Sequence, residues 1–245
     1  KTATITRSET DVDAVPYYKM VDDKTGYIVL AKFNRKASSQ TKEALVNLKN
    51  QGAERIILDL RSNPGGLLSE AINVTNIFVP KGELIVTTKS KVQKFNKTYR
   101  TRHAAVDTEI PLVVLVNGSS ASASEIVSGS LQDLDRAVVM GARSFGKGLV
   151  QRPLKLTYGT QLKVTISRYY TPSGRCIQSL DYWNRDKDGK AVKNTEFKSF
   201  TTRNGRKVQD GGGVLPEVEI NTIKTNALTR SLLKNHVIFD FATDY

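Results

Sequence analysis

The sequence predicts an α/β core with several added β-strands, and three observations carry that reading. Short apolar runs alternate with amphipathic segments through the middle of the chain. Turn residues interrupt it between them, most firmly at Asn63-Pro64-Gly65-Gly66, where proline fixes one φ and the glycines permit others. Residues 111–116 are almost continuously apolar, the pattern of a strand covered by helices on both faces.

Taken in order, residues 26–32 (Gly-Tyr-Ile-Val-Leu-Ala-Lys) form a short apolar run that suits a buried strand. Residues 39–50 place Ala44, Leu45 and Leu48 at helical spacing, with Ser39 as the N-cap and Gly52 as the stop. Residues 55–60 form the next strand. Residues 68–79 follow as an amphipathic helix closed by Pro80. Beyond the apolar strand come a helix over 122–134 and strands over 137–141 and 161–169. Residues 81–102 hold seven basic side chains against Glu83, and their alternation suits a solvated hairpin. Residues 181–210 mix eight basic and five acidic side chains with Gly189 and Gly205, as a long surface hairpin or loop does. No repeat of 20 to 50 residues is present.

Composition excludes several classes. With 245 residues, 39% of them hydrophobic and 25% charged, the chain can bury a sizeable core, and long disorder is excluded. The longest apolar stretches fall far short of the roughly 20 residues that span a bilayer, so no transmembrane segment is expected. The first residues show no apolar core followed by a cleavage site. The single cysteine, Cys176, excludes an internal disulfide and a zinc site built on several thiolates. His103 and His236 are too far apart in sequence for a His-rich metal site, so neither metal nor cofactor is expected. The net charge of +13, with Phe95 and Tyr99 interleaved in the basic stretch, has the outline of a nucleic-acid face. No nucleic-acid fold signature accompanies it, and a solvated surface is the favoured reading.

The chemistry concentrates at Asn117-Gly-Ser-Ser-Ala-Ser-Ala-Ser-Glu125, between the apolar strand and the next helix. Small residues at such a junction expose a nucleophile and leave backbone N–H groups free for an oxyanion. On its own the segment reads at least as well as a capping box, Ser122 with Glu125 three residues later. A serine nucleophile needs a base. Neither histidine has a suitable setting, and no G-x-S-x-G elbow surrounds any serine. Lys147, between glycines in Ser144-Phe-Gly-Lys-Gly148, is the alternative; taken alone, it reads as an ordinary turn lysine. Lysine is a base only as the neutral amine, which the flanking Phe145, Leu149 and Val150 would favour.

Together these motifs resemble the carboxyl-terminal processing proteases, also called tail-specific proteases. The resemblance is carried by Ser120-Ala-Ser-Ala-Ser-Glu-Ile126, Ser144-Phe-Gly-Lys-Gly-Leu-Val-Gln151 and Asp59-Leu-Arg-Ser-Asn-Pro-Gly-Gly66. Tyr169-Tyr-Thr-Pro-Ser-Gly-Arg175 and Gly213-Val-Leu-Pro-Glu217 extend it over most of residues 26–220. It implies a Clp protease/crotonase-like α/β core with additional β-strands and a C-terminal helical tail. It also implies a Ser–Lys endopeptidase without cofactor or metal, acting through an acyl-enzyme. By the same resemblance Ser122 is the nucleophile, Lys147 the base 25 positions later (147 − 122), and Gln151 the residue that orients the lysine. Ala123 and either Gly65 or Gly66 would form the oxyanion hole.

The implied partners are polypeptide substrates bound in extended form, and no specific nucleic acid. The implied location is the bacterial cell envelope. The implied organisation is residues 1–20 as the end of a PDZ domain, 21–220 as the peptidase core and 221–245 as the helical tail. The other readings are a non-catalytic peptide-binding module of the same fold, a basic nucleic-acid binder and an acyl-CoA enzyme of crotonase type.

Overall fold

The computed structural model of the chain describes residues 4, 6, 11–220 and 226–245. Of the amino-terminal segment expected to end a PDZ domain, residues 1–3, 5 and 7–10 lie outside them. The first described elements are β1 (Tyr17–Met20), β2 (Thr25–Val29), α1 (Ala37–Asn50), β3 (Arg55–Asp59) and α2 (Leu68–Phe78). Next come β4 (Leu84–Lys89), β5 (Lys97–Arg100), β6 (Leu112–Val116), α3 (Ala123–Asp133) and β7 (Val138–Gly141). β8 (Leu149–Lys155) and β9 (Gln161–Tyr170) precede two hairpins, β10 (Leu180–Arg185) with β11 (Ala191–Lys193) and β12 (Ser199–Thr201) with β13 (Lys207–Gln209). β14 (Val218–Glu219), α4 (Ala227–Lys234) and α5 (Val237–Asp244) complete the set.

The main sheet has the order β1-β2-β3-β6-β7-β14; β1 is antiparallel to β2 and the remaining neighbours are parallel. A second, antiparallel sheet has the order β5-β4-β9-β8. Ile28, Leu58, Val114 and Val139 of the main sheet share one core with Leu45, Val74 and Val127 of the three helices. Burying such side chains contributes about 1.5–3 kcal/mol each relative to exposure.

Three expectations need correction. The apolar strand is not sealed on both faces: in β6, Leu112, Val114 and Val116 are buried, whereas Val113 and Leu115 are only half-buried. Ser39 is not the cap of α1, which starts two residues earlier; there Glu70 of α2 accepts both the N–H and the hydroxyl of Ser38, at 2.8 and 2.7 Å. A carboxylate from a neighbouring helix thus supplies the anion favoured at this terminus. The basic hairpin is solvated only in part, because Ile85 and Val86 of β4 are fully buried and β4 pairs with β9 as well as β5.

Candidate active site

Three adjacent parallel strands deliver the site. Loops leave the carboxyl ends of β3, β6 and β7, the edge at which crevices form in parallel α/β sheets. They meet in a cleft of about 440 Å³ whose walls include Gly65, Gly66, Ser122, Ala123, Lys147 and Gln151. All six residues singled out in the sequence therefore share one cavity. No two of the Ser122, Lys147 and Gln151 side chains are hydrogen-bonded to each other; catalytic contacts of this kind commonly tighten only around substrate.

The three serines of the Ser-Ala-Ser-Ala-Ser run differ sharply. Ser120 is buried and its hydroxyl donates to the Leu60 carbonyl at 2.8 Å. Ser124 is buried and its hydroxyl donates to the Asn63 carbonyl at 2.9 Å. Of the three, Ser122 alone has a hydroxyl without a hydrogen-bond partner among the described residues, and Ser122 lines the cleft. The segment has the outline of a capping box, but the Glu125 N–H bonds the Ser122 carbonyl at 2.9 Å and the hydroxyl makes no capping bond. Ser122 sits at φ 58°, ψ −111°, a backbone conformation costly for an L-residue by about 1–3 kcal/mol. A sharp strand-to-helix turn of this kind exposes a nucleophile without the glycines of a G-x-S-x-G motif.

Backbone donors also border the cleft. The Gly65 N–H is already given to Asn63 Oδ1 at 2.9 Å. Among the described residues the N–H groups of Gly66 and Ala123 have no protein acceptor, and both residues line the cleft. Of the two glycines left open by the sequence, only Gly66 therefore keeps a free N–H. Gly65 has a different duty: its φ is +96°, and a Cβ there would lie 2.6 Å from the Ala121 carbonyl oxygen and 2.8 Å from Ser122 Cβ. Asn63 fixes this loop by also donating to the Leu30 carbonyl at 2.7 Å and accepting the Ala121 N–H at 3.0 Å.

One buried carboxylate ties the serine to the lysine. Glu125 Oε2 accepts the N–H groups of Ser122 and Lys147, both at 2.8 Å. Its Oε1 accepts the Ser144 hydroxyl and the Gly146 N–H, both at 2.6 Å. Burial raises this carboxyl above its ordinary range, and the four converging donors offset only part of that rise. From the other side the Tyr169 hydroxyl reaches the Lys147 carbonyl at 2.6 Å and the Ser122 carbonyl at 3.2 Å. Burial first, then the Glu125 charge, raises that phenol well above its usual value, so it remains a donor. Gly146, at φ +86°, lets the lysine loop pass a segment that a Cβ would strike 2.4 Å from Ser179 Cβ. Of the apolar neighbours expected around Lys147, Leu149 and Val150 line the cleft, whereas Phe145 is 55% exposed and does not.

Residues 24–182 match the family described as peptidase family S41. The chain belongs to that family. It is 42% identical to a carboxy-terminal-processing protease of Bartonella bacilliformis over 180 residues, covering 72% of this chain and 41% of that protein. It is 40% identical to a chloroplastic C-terminal processing peptidase of Tetradesmus obliquus over 155 residues, covering 63% of this chain and 33% of that protein. A solved photosystem II D1 C-terminal processing protease superposes with a TM-score of 0.60 at 31% identity, over 80% of this chain and 42% of that one. A lipoprotein from Streptococcus agalactiae gives 0.55 at 16% identity, over 89% and 68%, a likeness of fold alone. The S41 chain spans less than half the length of the processing-protease relatives cited. Its architecture is the Clp protease/crotonase-like α/β core with additional strands.

Sequence reasoning missed four residues of this S41 site. Glu125 was legible only as a capping partner, because three of its partners, Ser144, Gly146 and Lys147, come from a loop some 20 positions later. Tyr169 and Asn63 stood inside the quoted motifs without a role. Lys163 of β9 also lines the cleft, and nothing in its local sequence marks it.

Proposed function

We propose that this S41 chain is the catalytic part of a serine endopeptidase that trims polypeptides near their carboxyl ends through a Ser–Lys dyad. One observation carries the proposal: of three adjacent serines only Ser122 has an uncommitted hydroxyl, and Ser122 lines a cleft with Lys147 and two residues whose N–H groups are unpaired. In this reading Ser122 Oγ attacks the scissile carbonyl as Lys147 Nζ removes its proton. The oxyanion accepts hydrogen bonds from the Gly66 and Ala123 N–H groups. Lys147 returns the proton to the leaving amine, and the C–N bond breaks to give the acyl-enzyme. Water, deprotonated by Lys147, then hydrolyses the ester. Gln151, on the same wall, would turn its amide oxygen to the amine and set its direction.

Substrate would lie extended along β8, an edge strand that begins two residues after Lys147. Backbone pairing there gives affinity with little sequence demand, and Pro153 limits it to the start of the strand. The greater length of the relatives leaves room for a further domain such as a PDZ domain. The boundary expected at residue 20, however, falls inside the core, because Ala14 and Val15 are buried in it and β1 (Tyr17–Met20) pairs with β2. The core would therefore run from residue 14 to 220, with 221–245 as a tail. The bacterial cell envelope is the proposed location. Among the described residues no helix is long and apolar enough to cross a membrane.

The test is incubation with an unfolded protein followed by mass spectrometry of the products. Parent protein should give internal cleavages and Ser122→Ala none. Cleavage by Ser122→Ala at the parent rate would overturn the proposal.

A further inference from the structure

A second groove of about 1080 Å³ adjoins the cleft, and Leu149 and Gln151 line both. Its floor is apolar, with Phe95, Val164 and Ile166. Its rim carries four cations, Lys89, Lys91, Arg168 and Arg185, and no carboxylate among the described lining residues. Trp183 stands on the rim 77% exposed, an unusual position for so large an apolar surface. The turn that holds it outward is built: Asp181 Oδ1 accepts the Trp183 N–H at 2.8 Å while Oδ2 accepts the Asn184 amide at 2.8 Å. Lys91 Nζ lies 4.3 Å from the centre of the Trp183 ring and Lys89 Nζ 4.6 Å from that of Tyr170. Both cations are thereby held at the groove mouth without an anionic partner.

We propose that this groove is a specificity subsite for the substrate, selecting extended polypeptide in which acidic side chains alternate with apolar ones. The inference rests on the peptidase reading of the adjoining cleft. Alternation matches the chemistry: in an extended chain successive side chains point to opposite sides, so apolar ones can meet the floor while acidic ones meet the rim. A polypeptide continuing from the cleft past Leu149 and Gln151 enters the groove directly. A single-stranded nucleic acid could also set phosphates on the rim and stack bases on Phe95 or Trp183, but the aliphatic Val164 and Ile166 of the floor and the direct continuity with the cleft through Leu149 and Gln151 favour a polypeptide.

Trp183 is the only tryptophan of the chain, so its fluorescence reports occupancy of the groove. The experiment titrates Ser122→Ala protein, which leaves peptides intact, with an unstructured peptide carrying Asp-Leu-Asp-Leu-Asp a few residues from a fixed cleavage sequence. Its Asn-Leu-Asn-Leu-Asn counterpart and a single-stranded oligonucleotide are titrated in parallel. The acidic peptide should shift the Trp183 signal and bind several-fold tighter than the neutral one. That margin should shrink with salt and vanish in a Lys89→Glu/Lys91→Glu variant, where binding of the acidic peptide should fall about tenfold. Equal affinity for the two peptides, or a margin untouched by the charge reversal, would overturn the proposal. Tighter binding of the oligonucleotide would assign the groove to nucleic acid instead. Cleavage of both peptides by the parent protein separates the two claims. Equal binding with cleavage refutes the subsite alone, and selective binding without any cleavage refutes the peptidase reading alone.

Discussion

Glu125→Gln keeps the shape of the side chain that joins the serine and lysine segments and removes its charge. The carboxylate satisfies four donors, two at each oxygen. A glutamine offers one carbonyl oxygen, so two donors then face an amide NH₂. The favoured flip keeps the oxygen on Ser122 and Lys147 and turns the NH₂ toward Ser144 and Gly146. The Ser144 hydroxyl can rotate away, since it already accepts the Val214 N–H at 2.7 Å, but the Gly146 N–H is left buried without an acceptor. An orphaned buried donor costs about 1–3 kcal/mol. Relief from burying a charge offsets part of the lost charge-assisted bonding, for a net loss of about 2 kcal/mol. In a chain of this size that lowers the melting temperature by roughly 4–8 °C. Because Gly146 adjoins Lys147, displacement of the loop should reduce kcat about tenfold to a hundredfold with KM little changed. Thermal melts by circular dichroism and peptide kinetics on the same samples read both effects. A melting temperature and kcat both equal to the parent would show that Glu125 positions nothing.

Other perturbations follow from the same geometry. Ser122→Gly and Ser122→Ala should both be inactive, but the glycine variant should be about 1 kcal/mol more stable in denaturant titrations because φ 58° no longer meets a Cβ. Gly65→Ala should abolish activity and lower the melting temperature, since its Cβ would press on the Ala121 carbonyl and Ser122; parent-like behaviour would mean that the loop yields freely. Asp135 lies below its ordinary value of 3.8, because the Asn204 N–H and the Arg206 guanidinium outweigh a burial effect that acts the other way. A lowered folded value contributes stability above the unfolded value and loses it as pH falls through the folded one. Asp135→Asn should therefore be less stable at neutral pH and show a shallower acid limb below about pH 4, by urea titration across pH.

The elements most legible in the sequence were those with a clear apolar pattern between turn residues. α1, α2, α3, β2, β3, β7 and β9 lie within a few residues of their expected bounds. In α1 the buried positions recur at helical spacing, whereas α3 is buried at every position and α2 at most of them, so those two were legible from apolar content and from the residues that bound them. β1 and β8 were not legible. Both are edge strands with largely exposed side chains, and Pro153 breaks the pattern of β8 further. The cleft residues were legible through motif resemblance rather than through local physics, since Lys147 taken alone is an ordinary turn lysine. What sequence could not supply was the set of long-range bonds that tell similar residues apart. Ser120 and Ser124 are distinguished from Ser122 only by the carbonyls of Leu60 and Asn63, and Gly65 from Gly66 only by the side chain of Asn63.

The central claim is that Ser122 is a nucleophile activated by Lys147. Labelling with a serine-directed phosphonofluoridate, followed by peptide mapping, tests it most directly, because the reagent reports the activated hydroxyl without need of a substrate. The account predicts one adduct, on Ser122, present in Ser120→Ala and Ser124→Ala protein and lost in Lys147→Ala. Labelling of Ser120 or Ser124 in place of Ser122, or labelling of Ser122 at the parent rate in Lys147→Ala, would contradict it.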